Sequence, residues 1–224
     1  MSIRICVSIL PKTVPEALQI IEKAEAAHAD FIEVRLDRLK DCLENRQGLA
    51  DLAAHGKTPK IATDKASRTE TKHRQMLLNA AESGFEYVDA ELLTPQLEDL
   101  TRELKALGAK PIVSFHKFNG SLSLSELNNI LEREISSGAE VCKIVTTAKQ
   151  MEDNLTTLNF TSTASSKTKL VCFCMGELGK VSRLLSPLFG GFFTFASLER
   201  GNETASGQMT IQEMKEAYAL LGQK

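Results

Sequence analysis

No stretch of this chain is long and apolar enough to span a bilayer, and no Gly/Pro-rich linker, low-complexity tract or composition shift divides it. The first absence argues against a membrane protein. The second argues for one catalytic domain over residues 1–224. A basic surplus is missing as well: the formal net charge is −2, which points away from nucleic acid as a partner. No CxxC pair occurs. The five cysteines (Cys6, Cys42, Cys142, Cys172, Cys174) are odd in number and mostly sit in apolar runs, as small buried hydrophobes do in a reducing cytoplasm. Only Cys172 and Cys174 share a strand face, and two thiols without a nearby His make a poor metal site. The opening MSIRICVSIL has one Arg before an apolar run but is too short for a signal peptide, and no small-residue cleavage site follows. A cytoplasmic protein without metal is expected.

What is present is an ordinary globular composition, 42% hydrophobic and 25% charged. Apolar strand-like runs recur about every 25–30 residues with amphipathic helical patterns between them, the rhythm of repeated βα units. The runs cover residues 3–10, 31–37, 60–64, 87–92, 110–117, 141–147, 169–175 and 191–198. Helices are expected between them, including one over 44–55. The Ser/Thr-rich segment 149–166 reads as helical only at its start. Eight such units predict an α/β fold of the (β/α)₈ barrel kind. An open doubly wound sheet would require nearly apolar strands, because helices cover both of its faces.

These strands alternate instead. Phe31, Glu33, Arg35 and Asp37 share one face, opposite Ile32, Val34 and Leu36; Tyr87, Asp89 and Glu91 oppose Val88, Ala90 and Leu92. Ser114 and His116 oppose Val113 and Phe115, and Lys143 and Thr147 oppose Cys142 and Ile144. A barrel accounts for this if the apolar face meets the helices and the polar face lines the bore. Ionisable groups at strand C-terminal ends are where barrel enzymes place their chemistry.

Lys143 interrupts the apolar run Val141–Val145, and lysine is almost never fully buried unless paired. Its stem either snorkels to water or its amine is desolvated for reaction. A desolvated amine is expected to have a lowered pKa and so to attack a carbonyl. His116, on the preceding strand, is a lone His that suits a satisfied core position equally well, but beside Lys143 it supplies the proton shuttle that imine chemistry needs. Arg183 offers a planar fork for a carboxylate, or else is a surface helix charge. In the loop ETASGQ, Thr204, Ser206 and Gln208 are placed to line a pocket; Thr210 and Glu213 beyond it form a capping box.

Taken in order, EVRLD (33–37), YVDAEL (87–92), SFHKF (114–118), CKIVT (142–146), MGELGKVSR (175–183) and ASGQ (205–208) resemble the type I 3-dehydroquinate dehydratases, over essentially the whole chain. The resemblance implies a barrel enzyme, usually a homodimer, that removes water from 3-dehydroquinate with neither metal nor organic cofactor. It implies Lys143 as the Schiff-base lysine and His116 as general acid and base. Glu33 and Arg35 would hold substrate hydroxyls, Arg183 the substrate carboxylate, and Gln208 part of a closing loop. Ser8 is a further candidate on the first strand.

Two stretches depart from the family pattern. Its usual Arg after the third strand aligns with Asp64 in IATDKASRTETKH, leaving Lys65 or Arg68 for the positive charge and Glu70 as the nearest carboxylate to orient the histidine. The loop serine is replaced by Thr204, or its role passes to Ser206. A class I aldolase shares the barrel, the lysine and the shuttle, and a silent barrel kept as a binding module is the non-enzyme alternative.

Overall fold

Strand β1 (Ile5–Ile9) pairs in parallel with β2 (Phe31–Arg35) on one side and with β8 (Thr194–Ala196) on the other. The rest follow in chain order: β3 (Lys60–Thr63), β4 (Tyr87–Glu91), β5 (Lys110–His116), β6 (Val141–Thr147) and β7 (Lys169–Met175). The computed structural model describes residues 3–40, 45–65 and 69–223. The backbone N–H of Phe192 donates to the Leu170 carbonyl at 2.7 Å, tying the approach to β8 back to β7. The result is a nearly closed eight-stranded parallel barrel, as the alternating pattern predicts.

Helices α1 (Val14–Ala26), α2 (Arg46–Ala54), α3 (Glu70–Glu82), α4 (Leu97–Ala106) and α5 (Leu124–Ser136) lie outside it, with α6 (Glu152–Ala164), α7 (Lys180–Leu185) and α8 (Ile211–Leu220). Their starts are chemically marked. Thr13 accepts the Glu16 N–H at the head of α1, and Ser123–Glu126 and Thr210–Glu213 form full capping boxes.

Segment 149–166 is a correction, since α6 is helical over thirteen residues. Its hydroxyls do not break it because they bond backwards within the helix. Thr157 donates to the Asp153 carbonyl at 3.0 Å and Thr161 to the Thr157 carbonyl at 2.8 Å.

Two apolar layers result from the strand alternation. Outward residues such as Ile32, Val34, Val88 and Ile144 pack under the helices. Inward residues at the strand starts fill the lower bore, where Phe31, Tyr87, Phe192, Phe193 and Phe195 cluster with Cys6, Ile61, Ile112, Val141 and Val171. Phe31 and Phe193 centroids are 4.8 Å apart, and Phe193 meets Phe195 edge-on at 5.4 Å. Two residues further along the same face, β1 to β6 turn polar, with Ser8, Glu33, Thr63, Asp89, Ser114 and Lys143, while β7 and β8 stay aromatic with Phe173 and Phe195. Cys6, Cys142, Cys172 and Cys174 are buried free thiols; Cys42 and Arg68 lie outside the described residues.

Candidate active site

Above the aromatic floor, β2, β4 and β6 deliver Glu33, Asp89 and Lys143 to one level of the bore. All three are buried. Lys143 Nζ lies 2.9 Å from Asp89 Oδ2, 3.5 Å from Glu33 Oε1 and 4.5 Å from the Phe195 ring centre. Glu33 also accepts from the Ser8 hydroxyl and, at 2.9 Å, from Thr63 Oγ1. Snorkelling is thereby excluded, but the expected lowered pKa is not what the site produces. Burial alone would push the Lys143 ammonium down; the Asp89 and Glu33 carboxylates outweigh it and hold the amine above its ordinary value. In return, and against burial, Lys143 holds Glu33 below the usual carboxylate range and, with Lys65, does so strongly for Asp89. The resting amine is therefore an ammonium that must lose a proton before it can attack.

His116 closes β5 at the rim. Its Nδ1 lies 3.4 Å from Glu91 Oε1, at the long end of hydrogen-bond reach, and its ring lies nearly parallel to that of Phe118 at 6.1 Å. A carboxylate at Nδ1 leaves Nε2 as the nitrogen that handles protons. Glu91 is itself held low, since the His116 hydrogen bond and Lys65 outweigh its burial. The carboxylate beside the histidine is thus Glu91 on β4. Glu70, the sequence candidate, is exposed at the start of α3 and does not line the cavity. Asp64 is buried and turned towards α3, its carboxylate 3.1 Å from His73 Nδ1. Lys65 instead reaches in, contacting Asp89 at 3.0 Å, Ser114 Oγ at 3.3 Å and Glu91.

Asp89 and Glu91 are the functional residues that sequence reasoning passed over. The signal for them was present, because they share the inward face with Tyr87 at a spacing of two. Arg35 lines the cavity while its Nε and Nη2 bind Asp37 at 2.8 and 2.9 Å. Asp37 itself sits in a short 3₁₀ turn after β2 rather than on the strand face.

The opposite wall comes from α7 and the β8–α8 loop. Arg183 is not a surface charge: it is 1% exposed, stacked 4.4 Å above the Phe173 ring. Its Nε and Nη2 have no hydrogen-bond partner among the described residues, and burial lowers its pKa to about 10. Gln208 Nε2 is likewise buried without a partner there. Its Oε1 accepts from the Thr204 backbone N–H at 2.7 Å and the Thr204 hydroxyl at 3.2 Å, so the amide's donor end is left for something else. Buried donors without acceptors are costly in a folded protein, and their convergence on one cavity marks a ligand's place. Ser206 is exposed and serves through its carbonyl, which accepts the Gly176 N–H at 3.0 Å.

Gly207 makes that docking possible. It has φ +73°, and a Cβ there would fall 2.1 Å from the Gly176 carbonyl oxygen. Gly207→Ala is expected to lift the loop from β7, detected as faster protease cleavage between residues 199 and 209. A cleavage rate equal to the parent's would show that the loop is held by other contacts.

The cavity has a volume of about 310 Å³, suited to a small molecule, and brings together Glu33, Arg35, Lys65, Glu91, His116, Lys143, Arg183, Thr204 and Gln208. Among the described residues no group of three or more His, Cys, Asp or Glu is arranged to hold a metal ion.

Comparison with known proteins agrees with the barrel fold. The profile of type I 3-dehydroquinase matches residues 5–224. The 3-dehydroquinate dehydratase of Dehalococcoides mccartyi is 36% identical over 207 residues, spanning 91% of this chain and 90% of that one. Among solved structures, 3-dehydroquinate dehydratase from Geobacillus kaustophilus superposes with a TM-score of 0.89 at 24% identity, over 99% of this chain and 92% of that one. The Aquifex aeolicus enzyme gives 0.79 at 25% identity, over 97% and 98%.

Proposed function

Since the chain belongs to the type I 3-dehydroquinase family, we propose that it converts 3-dehydroquinate to 3-dehydroshikimate and water through an imine on Lys143. The observation that carries this reading is a buried amine flanked by two carboxylates, sharing one small cavity with a buried guanidinium whose Nε and Nη2 have no partner among the described residues.

In the proposed sequence, the Arg183 fork takes the substrate carboxylate and Gln208 donates beside it. Lys143, once deprotonated, adds to the C3 ketone; the carbonyl oxygen leaves as water and an iminium forms. Asp89 and Glu33 then face a cation again, so the pair that holds the resting ammonium also stabilises the intermediate. The iminium acidifies the C2 proton. His116 takes it through Nε2, then returns a proton to the departing C1 hydroxyl, and water hydrolyses the product imine. Glu33 and Arg35 are placed for the ring hydroxyls. The reading extends to a homodimeric, cytoplasmic enzyme of the shikimate pathway acting without a cofactor.

The test is direct. Turnover should appear as the absorbance of a conjugated enone, and borohydride added with substrate should leave a mass adduct on the Lys143 peptide. An adduct elsewhere, or none with turnover intact, sinks the imine assignment.

Glu91 has its own expected effect. Glu91→Gln keeps the shape but removes the charge beside His116 Nδ1, so kcat should fall by roughly 10- to 100-fold with KM changed little. Steady-state kinetics check it, and an equal loss in kcat/KM carried by KM alone would assign Glu91 to binding instead.

A further inference from the structure

One carboxylate serves two lysines. Lys143 Nζ lies 2.9 Å from Asp89 Oδ2, and Lys65 Nζ lies 3.0 Å from Asp89 Oδ1. Lys65 is fixed there by Glu91 and by Ser114 Oγ at 3.3 Å, while its backbone N–H donates to Asp37 Oδ1 at 3.4 Å. A side chain with three acceptors at its tip is not a solvated surface lysine, and its own ketone chemistry would require breaking all three contacts.

We propose that Lys65 is a positioning residue whose ammonium, by sharing Asp89 with Lys143, keeps the Lys143 amine able to shed its proton and attack a carbonyl. The inference rests on Lys143 being the imine-forming amine. A nucleophilic lysine needs its free-base form, yet two carboxylates at contact distance favour the ammonium. A second cation on the same carboxylate opposes them in two ways: it draws on the field of Asp89 and it repels the Lys143 charge directly.

The count of charges around Lys143 shows the scale. Glu33 from β2 and Asp89 and Glu91 from β4 are set against Lys143 and Lys65, leaving one net negative charge. Without Lys65 there are two. Arg35 is paired with Asp37, the His116 ring lies 3.4 Å from Glu91 and adds no charge to this count, and Arg183 lines another part of the cavity. Cys6 from β1 is buried and held well up as a thiol, chiefly by burial, and Glu134 on α5 behind β6 is held up as a neutral acid, again chiefly by burial. Neither supplies the missing positive charge. Lys65 does.

The test needs no substrate. Formaldehyde and cyanoborohydride methylate free amines: nitrogen bonds to the aldehyde carbon, the oxygen leaves as water, and hydride reduces the imine. Pulse labelling across roughly pH 6 to 10, with mass spectrometry of the Lys143 peptide, reports how readily that amine loses its proton. In Lys65→Met, the Lys143 labelling rate should fall about tenfold throughout that range, because the free-base fraction is smaller at every pH. Lys65→Arg, which retains the charge, should follow the parent.

Labelling of Lys143 in Lys65→Met at the parent rate overturns the proposal, as does Lys65→Arg behaving like Lys65→Met. If Lys65→Met does not fold, judged by circular dichroism, Lys65→Gln makes the same comparison with a polar chain. The expected difference between Lys65→Met and Lys65→Arg, together with no borohydride adduct from 3-dehydroquinate in the parent, would sink the dehydratase reading and leave the effect of Lys65 on the Lys143 amine standing.

Discussion

Replacing Lys143 by Met is expected to eliminate the borohydride-trapped adduct and lower kcat by at least ~10,000-fold, because no other step replaces the iminium as electron sink. Met is the informative choice, since it nearly fills the volume while removing the amine, its N–H donors and its charge. A second consequence follows in stability. Asp89 and Glu33 would be left buried without the ammonium 2.9 and 3.5 Å away, a loss of up to about 3–5 kcal/mol, moderated because Lys65 still holds Asp89.

The pH dependence has a definite sign. In the parent both carboxylates are held below their ordinary values, so they add stability above the unfolded-state range near about pH 4 and lose it as pH falls through their folded values. Without Lys143 their folded values rise, and protonation relieves the unpaired charge. The melting-temperature deficit of Lys143→Met should therefore be large at pH 7.5 and shrink towards pH 5. Calorimetry at the two pH values checks it. A deficit that grows on acidification, or a surviving adduct, contradicts the assignment.

Arg183→Met should move activity and stability in opposite directions. The guanidinium is almost wholly buried, with Nε and Nη2 unpartnered among the described residues, an arrangement that costs the ligand-free fold stability. Methionine can lie on Phe173 without unsatisfied donors. The melting temperature should rise by a few degrees, whereas KM should rise by about 100-fold through loss of a charge-assisted bidentate anchor. The kcat should change much less. An unchanged KM would remove Arg183 from substrate binding, and a lower melting temperature would show that its stacking outweighs its missing partners.

The barrel was legible because its evidence is local. Strand alternation places Phe31 and Glu33, or Tyr87 and Asp89, on one face whatever lies opposite. The inward placement of Lys143 and His116 was legible for the same reason. The charge state of Lys143 was not, because its partners Asp89 and Glu33 stand 54 and 110 positions away in sequence. Desolvation can be guessed from an apolar run, but the counter-charges that outweigh it depend on which strands become neighbours across the bore. Glu70 was the wrong carboxylate for a related reason: proximity in sequence favoured the loop after β3, while the register of β4 against β5 set Glu91 beside His116. In 149–166, Ser/Thr content weighed against a helix, and only the backward hydroxyl bonds explain why α6 forms.

The aromatic floor makes the barrel a cup rather than a pipe. Phe31, Phe193 and Phe195 close the lower bore beneath Lys143, so among the described residues small-molecule traffic enters from the upper rim, past Phe118 and the Thr204–Gln208 loop. Each turnover by an imine route releases two waters, at condensation and at elimination, and consumes one at hydrolysis. All three must share that rim with substrate and product. On the proposed imine route the Thr204–Gln208 loop would thereby also meter solvent, and its opening would set the slow step of the cycle.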